Sequence, residues 1–193
     1  MGAKGEQTRQ LIRTKAYAVF AKKGYKEVTM KDICEITGLS RGGLYRHYES
    51  TEQIFLEILN GFLDRQQNEF QSKIQDHVPA SVILDEILTR YEKEMPDSGN
   101  SLSIAIYEFF SNPEISKREN ALWKQYLCSK EMWVSLIEYG MNTGEFKNVD
   151  PEAVFDLIAF SYQGIRMYSK MMELDKKTPQ RVIKQIQSIL AAE

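Results

Sequence analysis

VTMKDICEITGLSRGGLYRHYESTEQIF, residues 28–55, is the stretch whose reading decides the fold. Thr29 offers a hydroxyl N-cap with Asp32 three residues on, Ile33 and Ile36 supply an inward face, and Gly38 stops a short helix. Ser40 caps a following helix, Arg41 to Tyr48, whose Leu44 and Tyr48 stand at i and i+4 and face inward against Ile33, Ile36 and the helix before them. Ser50 and Gln53 have capping-box spacing at the head of a longer helix, along which Ile54, Phe55, Ile58, Leu59 and Phe62 recur on one side. Two short helices set about a glycine-containing turn have the dimensions of a helix-turn-helix.

Inward placement of Leu44 and Tyr48 leaves Arg41, Gly42, Gly43, Tyr45, Arg46 and His47 facing out. Adjacent glycines within a helix cost about 1 kcal/mol each relative to alanine, so packing does not explain them. Their bareness lets a helix axis approach a groove floor or a phosphate. Arg41 near the helix start is suited to guanine edges or phosphate, and Tyr45 and His47 offer hydrogen bonds to backbone or bases.

Upstream, Ile12, Ala16, Val19 and Phe20 form one apolar stripe ended by Gly24, which predicts a first helix near 7–23. Downstream, Pro79 opens a helix through about Met95, and Pro96 to Asn100 is a loop. Three later starts pair a capping side chain with proline: Asn112-Pro113, Asp150-Pro151 and Thr178-Pro179, with Gly144 closing the helix that Pro113 opens. No stretch alternates with period two between tight turns. The expectation is an all-α protein of about nine helices, divided into residues 1–55 and 56–193.

The chain has 193 residues, 42% hydrophobic and 27% charged, with a net charge of −2. That average argues against nucleic acid as a partner and is misleading. Residues 1–50 carry ten Lys/Arg against five acids, a net of +5, while the rest carry fifteen against twenty-two, a net of −7. A basic head on an acidic body points to an anionic partner for the head alone. Cys34 and Cys128 form no metal or disulfide spacing, and no cofactor is called for. There is no phosphate-binding glycine loop, GxSxG or HExxH, so no enzyme is expected. No run is long and apolar enough for a membrane span, and a cytoplasmic location is expected.

The run from Val28 to Phe55, preceded by FAKKGY at residues 20–25, resembles the DNA-binding domain of TetR-family transcriptional regulators. The resemblance covers about 50 residues and joins caps, turn glycine and the Leu44-Tyr45 pair in one register. It implies a three-helix head, an all-helical ligand-binding body and a homodimer. By motif position it places DNA contacts at Thr29, Arg41, Gly42, Gly43, Tyr45, His47 and residue 51, where Thr51 replaces the phosphate-binding lysine frequent in the family. The charged and capping neighbours Lys31, Ser40 and Arg46 complete the expected DNA surface. The implied partner is a double-stranded, palindromic operator released by a small, largely apolar or aromatic effector.

Aromatic residues and methionines are dense after residue 100, and plain core is the ordinary explanation for most of them. The resemblance also implies a pocket among these helices, for which the candidates are Phe62, Tyr107, Glu108, Phe110, Trp123, Tyr126, Trp133, Tyr162 and Arg166. Apolar residues on nearly every face between Ala153 and Tyr168, with a second stripe before the chain end, suggest a four-helix dimer contact through Val154, Ile158, Ile165, Val182, Ile186 and Ile189. The rival readings are an activator of the same fold and a helical carrier or interaction protein that binds no DNA.

Overall fold

The computed structural model describes residues 3–66, 69–96, 99, 101–117 and 120–192; side chains at 3 and 62–69 are outside the description. Among the described residues there are ten helices and no strand: α1 (Ala3–Lys23), α2 (Met30–Thr37), α3 (Arg41–Tyr45), α4 (Thr51–Gln66), α5 (Glu69–Gln75), α6 (Ala80–Glu94), α7 (Ser103–Phe110), α8 (Ala121–Asn142), α9 (Pro151–Ser169) and α10 (Thr178–Leu190). They form two packing units, Met1–Leu63 with Gly99–Lys124 and Asp64–Ser98 with Gln125–Glu193. This partition follows packing and does not coincide with a division at residue 55, because α7 returns to the first unit.

In the first unit, Ile12, Ala16 and Phe20 of α1 meet Ile33, Leu44, Tyr48, Ile54, Phe55 and Phe109 in one core. Ile36 departs from expectation: it is 45% exposed while Ile33 is fully buried. The two are about 60° apart around the helix axis, and an eight-residue helix resting on α1 has a core stripe too narrow for both. Rings of Phe20, Tyr25, Phe55, Phe109 and Phe110 meet in series in stacked, tilted or edge-on pairs, with neighbouring centroids 4.7 to 6.0 Å apart.

In the second unit, α6, α8, α9 and α10 bury Ile83, Ile87, Trp133, Leu136, Phe155, Ile158 and Ile186. Trp133 meets Phe70 edge-on at 5.4 Å, and Tyr91 joins Trp133 to Tyr162. The proline start of α6 brings no capping side chain of its own. Glu145 supplies one: its carboxylate accepts from the N–H groups of Ala80 and Ser81, both at 3.0 Å, and from the Ser81 hydroxyl at 2.7 Å. Partial burial pushes this carboxyl up, but the bonds from Ser81, Ala80 and Thr143 outweigh it and hold it down to about 2. The Phe146 ring lies where a side chain at Gly140 would be, a Cβ there coming 2.1 Å from it. The strap beyond pairs Lys147 N–H with Leu190 C=O at 2.9 Å.

Two helix starts differ from the sequence reading. Asn112 Oδ1 accepts from Glu114 N–H and makes only a local turn, whereas Asn120 Oδ1 accepts from Trp123 N–H at 2.8 Å and opens α8. α10 begins at Thr178 itself, after a turn in which Asp175 C=O accepts from Thr178 N–H. Asp150 caps α9 as expected, accepting from Glu152 and Ala153.

Candidate nucleic-acid interface

The surface between α2 and α3 is built from caps. Thr29 Oγ1 accepts from Asp32 N–H, and Asp32 Oδ2 accepts from Thr29 N–H at 2.8 Å, completing a reciprocal box. Lys23 bonds the other oxygen of Asp32 at 2.5 Å. That bond and those of Thr29 hold the Asp32 carboxyl well below the usual range, so it stays ionised. Gly38 closes α2 in the left-handed conformation at φ 72°, donating to Cys34 C=O. Ser40 Oγ then accepts from Gly43 N–H at 3.1 Å and starts α3.

α3 itself is shorter than the expected 41–48. It ends at Tyr45, and Leu44 C=O takes the N–H groups of both His47 and Tyr48 as the chain tightens toward α4. Leu44 and Tyr48 are buried, while Arg41, Gly42, Tyr45 and Arg46 are exposed and Gly43 and His47 half-buried. A Cβ at Gly42 would meet nothing within 4 Å, so no neighbour in the protein requires glycine there. At Gly43 a Cβ would come 3.2 Å from Ser40 Oγ and crowd the cap. Thr29, Lys31 and Ser40 are exposed on the same pair of helices, and Thr51 stands half-buried at the start of α4.

A charged hub that sequence reasoning missed supports the far end of α3. Glu57 on α4 takes Arg9 in a two-pronged contact and Arg13 Nη1 at 2.6 Å, both from α1. Arg9 also donates to His47 C=O at 3.2 Å and lies 4.5 Å over the Tyr48 ring. Burial pushes Glu57 up, yet the bond from Arg9 and the charges of both guanidiniums leave it below the usual range. Burial and the charge of Glu57 push the Tyr48 hydroxyl up to about 12. Nothing local signals this hub, since its partners lie 44 and 48 residues apart.

The ligand candidates fall in both units. Phe110 packs against the first core, whereas Tyr107 on α7 and Trp123 in the first turn of α8 are exposed. The sequence reading gives Glu108 a part in orienting a ligand; the structure gives its Oε2 two backbone N–H groups of its own unit, those of Tyr25 and Lys26. A cleft of about 460 Å³ beside it is lined by Tyr25, Glu52, Phe109, Asn112 and Ile115 among others. In the second unit Trp133 is core, Tyr126 donates to Asp156 at 2.8 Å, and Tyr162 donates to Glu94 at 2.8 Å. Arg166 donates to Glu94 C=O and to the Tyr162 hydroxyl. The Phe62 side chain lies outside the described residues.

The expected dimer face needs correcting at three positions. Val154, Ile158 and Ile186 are only 5%, 1% and 0% exposed, because they form the core of their own unit. The apolar residues left outside on these helices are Leu157 and Phe160 of α9 and Ile189 of α10, with Tyr168, Met171 and Met172 beyond them. Ile165 and Val182 are half-buried against the core.

A profile described as bacterial regulatory proteins, tetR family, matches residues 12–58, the span from the core of α1 through the α2–α3 surface into α4. The HTH-type transcriptional regulator YfiR of Bacillus subtilis is 30% identical over 139 residues, 72% of this chain and 67% of its own length. The chain belongs to the TetR family. The transcriptional repressor KstR2 of Rhodococcus jostii is 28% identical, over 72% of this chain and 69% of its own. A TetR regulator of Chloroflexus aurantiacus, 21% identical, superposes with a TM-score of 0.76 over 99% of this chain and all of its own. This TetR-family member is therefore a ligand-responsive, DNA-binding transcriptional regulator, and its relatives are regulators rather than enzymes. The carrier reading is not favoured. Among the described residues no helix is long and apolar enough to cross a membrane.

Proposed function

We propose that the protein is a cytoplasmic homodimeric repressor that binds a palindromic operator through its first 55 residues and leaves it when a small, largely apolar or aromatic effector binds among residues 56–193. The observation that carries the reading is the outward surface of α3: a Ser40-capped turn of helix, held inward by Leu44 and Tyr48, presenting Arg41, Tyr45 and an unobstructed Gly42. Arg41 and Tyr45 read base edges, Gly42 and Gly43 bring the helix close, and Thr29, Lys31, Ser40, Arg46, His47 and Thr51 hold the phosphates. Two copies related by a two-fold axis set their α3 helices about 34–36 Å apart, which selects a palindrome.

Dimerisation through the outer faces of α9 and α10 is supported by Phe160, 65% exposed, and by the exposed Leu157 and Ile189, on helices whose other faces are core. Tyr162 and Arg166 form the best-supported polar contacts for an effector, since ring and guanidinium lie together beside the half-buried Tyr91 ring, which in turn meets the buried Trp133. An effector that prefers the non-binding arrangement by about 1–3 kcal/mol weakens DNA binding roughly 5- to 150-fold.

The reading is tested with a duplex selected by the protein from a random pool. Binding that falls steeply with salt and exceeds that to a scrambled duplex supports it. Arg41→Ala is expected to lose about 10- to 100-fold on the selected duplex and to relax preference at its base. Equal affinity for selected and scrambled duplexes sinks the reading.

A further inference from the structure

The segment Gly24–Val28 carries the chain from α1 to the Thr29 cap of α2, and its first free N–H groups converge on one atom. Glu108 Oε2 accepts from Tyr25 N–H at 2.7 Å and from Lys26 N–H at 3.0 Å. Gly24 lies directly against that carboxylate: it holds φ +79°, and a Cβ on it would come 2.6 Å from the same oxygen. A side chain at position 24 is thus strained by the left-handed backbone and would push the carboxylate from its place. The Tyr25 ring meets Phe109, the next residue of α7, edge-on at 4.7 Å. Neighbouring residues of α7 therefore hold the backbone and the ring of one loop residue.

The other end of the segment is held locally. Val28 N–H donates to Tyr25 C=O at 3.2 Å, and Thr29 is fixed by the Asp32 box that Lys23 supports. Asp32 lies three residues from its partner; Glu108 lies 83 and 82 from its own. Bonds from N–H groups to an ionised oxygen are about twice as strong as neutral ones, and a chain segment held before binding is not ordered at the expense of binding.

We propose that Glu108 is a positioning residue for operator binding: by holding the N–H groups of Tyr25 and Lys26 it fixes the loop from which Thr29 and the first turn of α2 meet the phosphate backbone. It touches no DNA itself. The proposal rests on the reading of the α2–α3 surface as the DNA-binding face.

The test compares wild type, Glu108→Ala, Glu108→Gln and Arg41→Ala on the duplex selected from a random pool. Glu108→Ala is expected to bind about tenfold more weakly, and Glu108→Gln, whose amide oxygen accepts the same two bonds, within about threefold of wild type. In the free protein, amide exchange at Tyr25 and Lys26 is expected to speed up about tenfold or more in Glu108→Ala and to stay near wild type in Glu108→Gln. Thr29→Ala, expected to weaken binding when made alone, should cost less than about twofold when added to Glu108→Ala. Wild-type affinity in Glu108→Ala, while Arg41→Ala loses binding, overturns the positioning role alone. Undiminished binding by Arg41→Ala overturns the DNA-face reading, and the positioning role with it. Equal loss of melting temperature and affinity in both Glu108 variants, with exchange at Tyr25 and Lys26 unchanged, overturns the proposal as well.

Discussion

The two packing units each bring a distant glutamate to a pair of backbone N–H groups, and the pairs differ in the kind of helix they lead into. In the second unit Glu145 supplies the cap that Pro79 lacks, and beyond Ala80 and Ser81 comes a helix whose inner face is core. In the first, Glu108 takes Tyr25 and Lys26, and beyond them comes a short helix of which only Ile33 is fully buried. The same chemistry serves stability in one place and presentation in the other. The second unit buries Ile183, Ile186 and Leu190 of α10 in its core together with rings such as Trp133 and Phe155, whereas in the first unit ion pairs of Glu57 with Arg9 and Arg13 join α4 to α1 beside the end of α3. Stability and DNA affinity should therefore respond to different substitutions.

The sharpest break of that contrast is in the second core. Ile186→Ala, at a fully buried position, is expected to cost about 2–4 kcal/mol by chemical denaturation. Residual folded protein should keep its intrinsic operator affinity. Gly42→Ala should do the reverse: with nothing within 4 Å of the added Cβ, it should stabilise the fold by up to about 1 kcal/mol while weakening operator binding roughly tenfold. A gain in both would show that the bare surface of α3 has no part in approaching DNA.

Glu145→Gln is expected to cost about 1 kcal/mol at neutral pH with no change in DNA binding. The folded carboxyl is held down to about 2, below the ordinary value of an unfolded glutamate, so its contribution is complete above roughly pH 4.5. It is lost as pH falls toward the folded value. The gap between wild type and Glu145→Gln should accordingly close between about pH 4.5 and 2, measured by denaturation at each pH. A gap that widens on acidification contradicts the assignment. Least is expected of His77→Gly. His77 takes a left-handed φ of 56° at the end of α5, where its N–H donates to Ile74 C=O and that of Val78 to Lys73 C=O. Glycine should stabilise by about 0.5–1 kcal/mol, visible as a small rise in melting temperature.

Legibility in the sequence tracked the reach of each interaction. The α2–α3 region could be read because its determinants are three or four residues apart: Thr29 with Asp32, Gly38 with Cys34, Ser40 with Gly43, and Ser50 with Gln53. Glu108, Glu145 and Glu57 were opaque as structural anchors because their partners are 44 to 83 residues away. A lone acid within the apolar segment SIAIYEFF marks a polar contact without saying to what. On α9 the apolar residues surround the helix, so periodicity could not separate the core side from the outer side. Asn112-Pro113 misled because asparagine closes a local turn as readily as it opens a helix.

α3 is five residues long and gives only Leu44, with Tyr48 just past its end, to the interior. Its shape is imposed by the Ser40 cap and by the hub at Glu57, which use the backbone of Gly43 and His47 and none of the side chains of Arg41, Tyr45 and Arg46. The reading head therefore behaves as an interchangeable part. On the proposed DNA-binding face, exchanging the exposed base-reading positions Arg41 and Tyr45 should carry little penalty to folding, so that new target preferences come within reach of one or two substitutions while the scaffold stays as it is.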